Sequence, residues 1–134
     1  MSHPVETIQT IYAAFGRGDI PFILAQLASD VAWEHWSSHS AQAAGVPWMA
    51  KRCDPAGAQQ FFELIGSFTF HRFDVQQILA GGNEVVGRVA IDVSLPNGRR
   101  VQDDEIHWFR FNSAGQIDAF RHYLDSAKHI AAAG

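Results

Sequence analysis

The segment Arg100-Val-Gln-Asp-Asp-Glu-Ile-His-Trp-Phe-Arg-Phe111 carries ionisable side chains where a sheet core favours valine and isoleucine. Polar groups aimed at an apolar interior cost free energy unless they are paired or put to use. His107 titrates near neutrality and can act as acid or base. The alternation of an extended strand puts Asp103, Glu105 and His107 on one face with Phe109 and Phe111. Reading Asn97-Gly98 as a two-residue hairpin turn sets Pro96 opposite Arg99. Continuing that register sets Asp92 opposite Asp103, Ala90 opposite Glu105 and Arg88 opposite His107. Arg88 then pairs with Asp92 or Glu105, or binds a carboxylate or enolate oxygen of a ligand. An imidazole held by Asp or Glu is oriented as a general base. The same rows also fit a ladder of cross-strand ion pairs on an exposed end of the sheet.

Two further histidines sit in β-prone runs. In Val31-Ala-Trp-Glu-His-Trp36, period two groups Val31, Trp33 and His35 on one face and Ala32, Glu34 and Trp36 on the other. Further on, Phe120, His122 and Leu124 form a set, which a one-residue bulge would exchange for Tyr123 and Asp125. No metal is expected. His35 and His39 stand four apart where a strand runs into a loop, with no helical face to share and no evident third ligand. Cys53 lacks a neighbouring base, and no nucleophile elbow, phosphate-binding glycine loop or dinucleotide fingerprint is present.

These side chains need a scaffold to converge. Ser2 or His3 precedes Pro4, and Val5, Ile8, Ile11, Tyr12 and Phe15 recur at helical spacing, so roughly residues 4–16 form an amphipathic helix ended by Gly16-Arg-Gly18. Asp19 caps a short second helix that buries Phe22, Ile23, Leu24 and Leu27. A strand over 31–36 follows. Residues 37–53 read as a long loop in which Trp48 and Met49 either rim a site as a lid or pack the loop onto the core. Asp54-Pro55 opens another helix that buries Phe61, Phe62, Leu64 and Ile65. Strands are expected at about 68–80, 84–95, 99–111 and 116–124, and a last helical turn after Ser126. Helices first and antiparallel strands later give an α+β fold with one sheet curled around the helices.

The totals exclude several function classes. The chain has 134 residues, 47% hydrophobic and 18% charged, as in an ordinary globular domain. A formal charge of −4 with no basic block argues against nucleic acid. A single cysteine excludes an internal disulfide and fits a cytoplasmic location. No apolar run approaches the ~18 residues of a membrane span, and the first residues lack the features of a signal peptide.

Tyr12-Ala-Ala-Phe-Gly-Arg-Gly-Asp19, Leu27-Ala-Ser-Asp-Val-Ala-Trp-Glu34, His107-Trp-Phe-Arg-Phe111, Gly115-Gln-Ile117 and His122-Tyr-Leu-Asp125 resemble SnoaL-like proteins. These belong to the nuclear transport factor 2-like superfamily, which includes ketosteroid isomerase. The resemblance covers nearly the whole chain and implies one domain over 1–134. It implies a cone: a strongly curved, mostly antiparallel sheet wrapped around N-terminal helices, with a deep pocket between them and a homodimeric assembly. In ketosteroid isomerase an Asp base moves a proton while a tyrosine and a protonated Asp hold the oxyanion. By resemblance those positions fall on His35, Ile11 and His107, so none of the three residues is retained.

The resemblance implies acid/base chemistry without a cofactor, such as isomerisation or aldol-type cyclisation, on a hydrophobic carbonyl compound. His35 is the expected base, His107 and Arg88 hold the enolate oxygen, and Asp92 completes the polar set. Tyr12, Trp33, Trp48, Met49, Phe62, Glu105, Phe109, Phe120, His122 and Leu124 are the expected ligand contacts. The acid/base carboxylate of cyclase-type members falls nearer Leu124 than Asp125. The alternative is a non-catalytic binding module or dimerising scaffold.

Overall fold

Proline at a first helical turn and aspartate at the cap position set most helix starts in this chain. The computed structural model describes residues 4–134. Helix α1 spans Pro4–Gly16 and buries Ile8, Ile11 and Ala14; the expected preceding residues Ser2 and His3 lie outside the described part. Helix α2 spans Ile20–Ala25, and the Asp19 side chain accepts from Phe22 N. Helix α4 spans Pro55–Ile65, where Asp54 accepts from Gly57 N at 2.7 Å. Each such cap satisfies a backbone donor that the helix itself leaves unpaired.

Strands β1 (Leu27–Trp33), β2 (Thr69–Gly81), β3 (Glu84–Ser94), β4 (Arg100–Phe111) and β5 (Ile117–Tyr123) form one sheet in the order β1-β5-β4-β3-β2. Only the β1–β5 pairing is parallel. Register breaks between Phe70 and Arg72 and between Val75 and Gln77 bend β2, as bulges do, and the sheet curves. The core lies between its concave face and the helices, with Ile8, Val31, Val85, Val89 and Ile117 almost completely buried. Each such side chain contributes about 1.5–3 kcal/mol relative to leaving it exposed.

Two local expectations need correction. The segment after β1 is not structureless: it folds into α3 (Ser40–Ala43) and a 3-10 turn at Pro47–Met49. The β3–β4 register is also one residue off the expected one. Leu95 N donates to Arg99 O, Gly98 N donates to Leu95 O, and Gly98 has φ +84°. The loop is therefore three residues, Pro96-Asn97-Gly98, closing on a glycine in the left-handed region. Gly87 pairs with His107, Val89 with Glu105 and Ile91 with Asp103. A slip of one residue turns every β3 side chain over.

The chain ends in α5 (Ser126–Ala133), whose cap Asp125 accepts from Lys128 N. It packs beside β4 and buries His129 and Ala132. No helix among the described residues is long and apolar enough to cross a membrane.

Candidate active site

Alternation along β4 points Asp103, Glu105, His107 and Phe109 to the concave face, and β5 adds Phe120 and His122. A cavity of about 110 Å³ lies over them, walled by aromatic and aliphatic side chains from α1, α4 and the sheet. Six polar or charged residues of the described chain are buried: Glu34, Asp103, Glu105, His107, His122 and His129. They form two hydrogen-bonded groups, Glu34 with His122 and His107 with Glu105, His129 and Asp103, which meet where the His107 and His122 rings stand 4.9 Å apart.

The carboxylate of Glu34 enters that region through a backbone irregularity. Glu34 has φ +56°, the one non-glycine in the left-handed region among the described residues. Such a conformation costs of order 1–3 kcal/mol and persists only where its surroundings fix it. Here they do: Glu34 N donates to Phe120 O, and Glu34 O accepts from Gln42 Nε2. The side chain, fully buried, accepts from Trp36 Nε1, from His122 N and from His122 Nδ1 at 2.6 Å. Burial pushes the His122 pKa down, but the Glu34 carboxylate more than reverses this and raises it. Among the described residues the second ring nitrogen, Nε2, has no hydrogen-bond partner, and His122 lines the cavity.

His107 is held from both sides. Tyr12 OH lies 2.9 Å from Nδ1, and Glu105 Oε1 lies 3.3 Å from Nε2. An ionised Glu105 only accepts, so Nε2 carries the ring proton and Nδ1 accepts from the tyrosine. Burial lowers the His107 pKa, with Glu105 only partly offsetting it, so the ring is neutral at pH 7. Burial, and then Glu105, push Tyr12 well above its usual pKa. Tyr12 reaches across β3 because residue 87 is glycine; a Cβ there would run into the phenol oxygen.

Behind Glu105 stands His129. Its Nε2 lies 2.9 Å from Asp103 Oδ2 and 3.2 Å from Glu105 Oε2, while Trp48 Nε1 donates to Nδ1 at 2.9 Å. Burial pushes the His129 pKa down, and the two carboxylates lift it to about 9. The indole N–H opposes a second ring proton, because it needs a lone pair on Nδ1. The indole therefore works against the lift that the two carboxylates give. For Glu105, burial acts to raise the pKa, but the hydrogen bonds from His107 and His129 hold it well below the usual carboxylate range.

The sequence model of the SnoaL-like domain matches residues 8–120. The chain belongs to the SnoaL-like family. No curated protein matches its sequence significantly. Among solved structures it is similar to a nuclear transport factor 2-like protein of unknown function from Burkholderia pseudomallei, with TM-score 0.79, 24% identity and 99% and 98% of the two chains covered. It is similar to TerC co-crystallised with polyporic acid, with TM-score 0.77, 21% identity and 98% of each chain covered. It is also similar to the Δ5-3-ketosteroid isomerase of a Mycobacterium species, with TM-score 0.70, 20% identity and 95% and 97% covered. At these identities the likeness is one of fold.

In this SnoaL-like protein, ten of the residues singled out in the sequence line the cavity: Tyr12, Trp33, Trp48, Phe62, Glu105, His107, Phe109, Phe120, His122 and Leu124. Four do not. His35 donates Nε2–H to Arg52 O at 2.7 Å outside the cavity, because the left-handed turn at Glu34 breaks the alternation it was read from. Glu34 takes the inward place instead. Arg88 and Asp92 lie on the outer face through the shifted β3 register. Arg88 is exposed, and Asp92 pairs there with Arg100 at 2.6 Å, the cross-strand ion-pair alternative. Met49 is completely buried in the core rather than on the cavity wall. Sequence reading missed Glu34 and His129. A left-handed glutamate has no sequence signal, and the Trp48–His129 contact joins residues 81 positions apart. The indole N–H of Trp33 is buried in the cavity wall without a partner among the described residues.

Proposed function

We propose that the protein is an enzyme that moves a proton at the carbon next to the carbonyl of a hydrophobic compound, in an isomerisation or aldol-type cyclisation. One observation carries this reading: the buried Glu34–His122 pair, with Nε2 of the imidazole on an apolar cavity. Glu34 fixes the proton on Nδ1 and stabilises the imidazolium that forms when Nε2 takes a substrate proton. Neutral His107 offers its Nε2–H to the developing enolate oxygen in place of Glu105, and Tyr12 holds that ring in orientation. The orphan N–H of Trp33 is available to a second acceptor on the ligand. Arg88 and His35 take no part.

Small apolar ketones with acidic α-protons are the first substrates to try. In D2O the wild type is expected to accelerate α-proton exchange, followed by NMR, and His122→Ala to slow it by about 10²–10⁴-fold. Equal exchange by the two proteins rules out His122 as the base. A ligand retained in native mass spectrometry without any exchange supports a binding module instead.

The outer sheet face carries Leu79, Val86 and Trp108 in one row, with Tyr123 opposite Ile106. Tyr123 and Leu79 are exposed, and this surface supports a homodimer, to be tested by sedimentation. The exposed lone Cys53 fits a reducing compartment such as the cytoplasm.

A further inference from the structure

We propose that Glu105, His107 and His122 also form a binding site for a divalent transition-metal ion of the zinc type, open to the cavity. One ligand atom from each residue lies within 4.8 Å of the other two. His107 Nε2 and Glu105 Oε1 are 3.3 Å apart. Two ligands at about 2.0–2.1 Å from a tetrahedral zinc ion stand about 3.3 Å apart, so this edge is already at its bound length. Two imidazoles and a carboxylate are a donor set suited to zinc and its first-row neighbours.

The outer partners argue more strongly than the triangle. Metal-bound histidines usually donate their other ring N–H to an acceptor, and metal-bound carboxylates are themselves hydrogen-bonded. His122 gives Nδ1–H to Glu34, leaving Nε2 for the ion. His107 can give Nδ1–H to the Tyr12 oxygen, which accepts as readily as it donates. The second oxygen of Glu105 is held by His129. The three ligands thus have three separate supports, and the cavity supplies the open fourth position.

The neighbouring group of Asp103, Glu105 and His129 meets the same distance condition but fails chemically. An ion on His129 Nε2 would require a proton on Nδ1, where the Trp48 indole already points its own N–H.

This inference goes beyond the proton-transfer reading and does not depend on it. The two meet at His122 Nε2, because an ion there occupies the lone pair that would take the substrate proton. A metal-loaded chain would lose exchange activity.

The test is an optical titration of tag-free, chelator-stripped protein with Co²⁺, followed by displacement with Zn²⁺. The expected result is one Co²⁺ per chain with the intense visible bands of four- or five-coordination. Glu105→Gln and His122→Ala remove a ligand, and Glu34→Gln leaves all three ligands but removes a support; each is expected to weaken binding by about 10–100-fold or more. Circular dichroism checks that each variant is folded. No stoichiometric uptake by the folded wild type, or uptake that neither Glu105→Gln nor Glu34→Gln weakens, overturns the proposal. The spectrum reads the site whether or not the chain turns over a ketone.

Discussion

The Glu34 carboxylate sets both the orientation and the basicity of His122, and the two effects separate by pH. Because the pKa of His122 is raised, its free-base form grows at higher pH than in an unperturbed histidine. Exchange activity is therefore expected to rise through that raised pKa. Glu34→Gln removes the charge that raises it, so the rising limb should move to lower pH while the plateau rate falls. A pH profile of kcat/KM for the two proteins checks this; superimposable limbs would show that Glu34 does not tune the base. The stability effect has its own sign. A histidine whose folded pKa lies above the unfolded value of about 6.5 stabilises fully below that value, and loses the contribution as pH rises through the folded pKa. Glu34→Gln should thus cost more in urea midpoint at pH 6 than at alkaline pH. Of this pair the sequence showed one half. His122 follows from strand alternation with Phe120, whereas Glu34 depends on a left-handed residue held by Gln42, Trp36 and the β5 backbone, all of them tertiary partners.

At the scale of elements, apolar periodicity and turn residues identified the helices beginning at Pro4 and Pro55 and the last four strands, because each element's own residues decide its type. The first strand, expected over 31–36, instead runs over Leu27–Trp33 and takes Leu27 from the second helix. Pairing register was not legible in the same way. It hangs on whether the β3–β4 connection has two residues or three, and Pro96-Asn97-Gly98 contains the Asn-Gly signal of the shorter loop. The Leu95–Arg99 pairing and Gly98 at φ +84° fix the longer one. An L-residue in that conformation costs roughly 1–2 kcal/mol, so Gly98→Ala should lower the unfolding free energy by about that amount in urea. The register also decides the fate of Arg88. Facing outward from β3, it is expected to tolerate Arg88→Ala with unchanged exchange rate and melting temperature. A large loss of turnover would mean that the inner face of β3 is not the Val85, Val89 and Val93 face.

Across the whole molecule, the polar end of the cavity is assembled from both ends of the chain. Tyr12 comes from α1 to meet His107, Glu34 from the end of β1 to meet His122, Trp48 from the 3-10 turn to meet His129, and His129 from α5 to meet the β4 carboxylates. The Trp48–His129 hydrogen bond is the most informative of these contacts, because it clamps two peripheral segments and opposes a second proton on His129. Trp48→Phe keeps an aromatic ring but removes the donor, leaving a buried acceptor unpaired at a cost of about 1–3 kcal/mol. It also removes the group that opposes a second proton on His129, so the ring between Asp103 and Glu105 should hold that proton to higher pH than in the wild type, where its pKa is about 9. The compensation then has a definite pH window. A pKa raised in the folded state stabilises fully below about 6.5 and fades as pH rises through about 9. The variant should therefore lose little stability near pH 6 and considerably more above pH ~9, measured as the difference in urea midpoint from wild type. A penalty that does not change with pH would show that the Trp48 indole N–H does not govern His129 protonation.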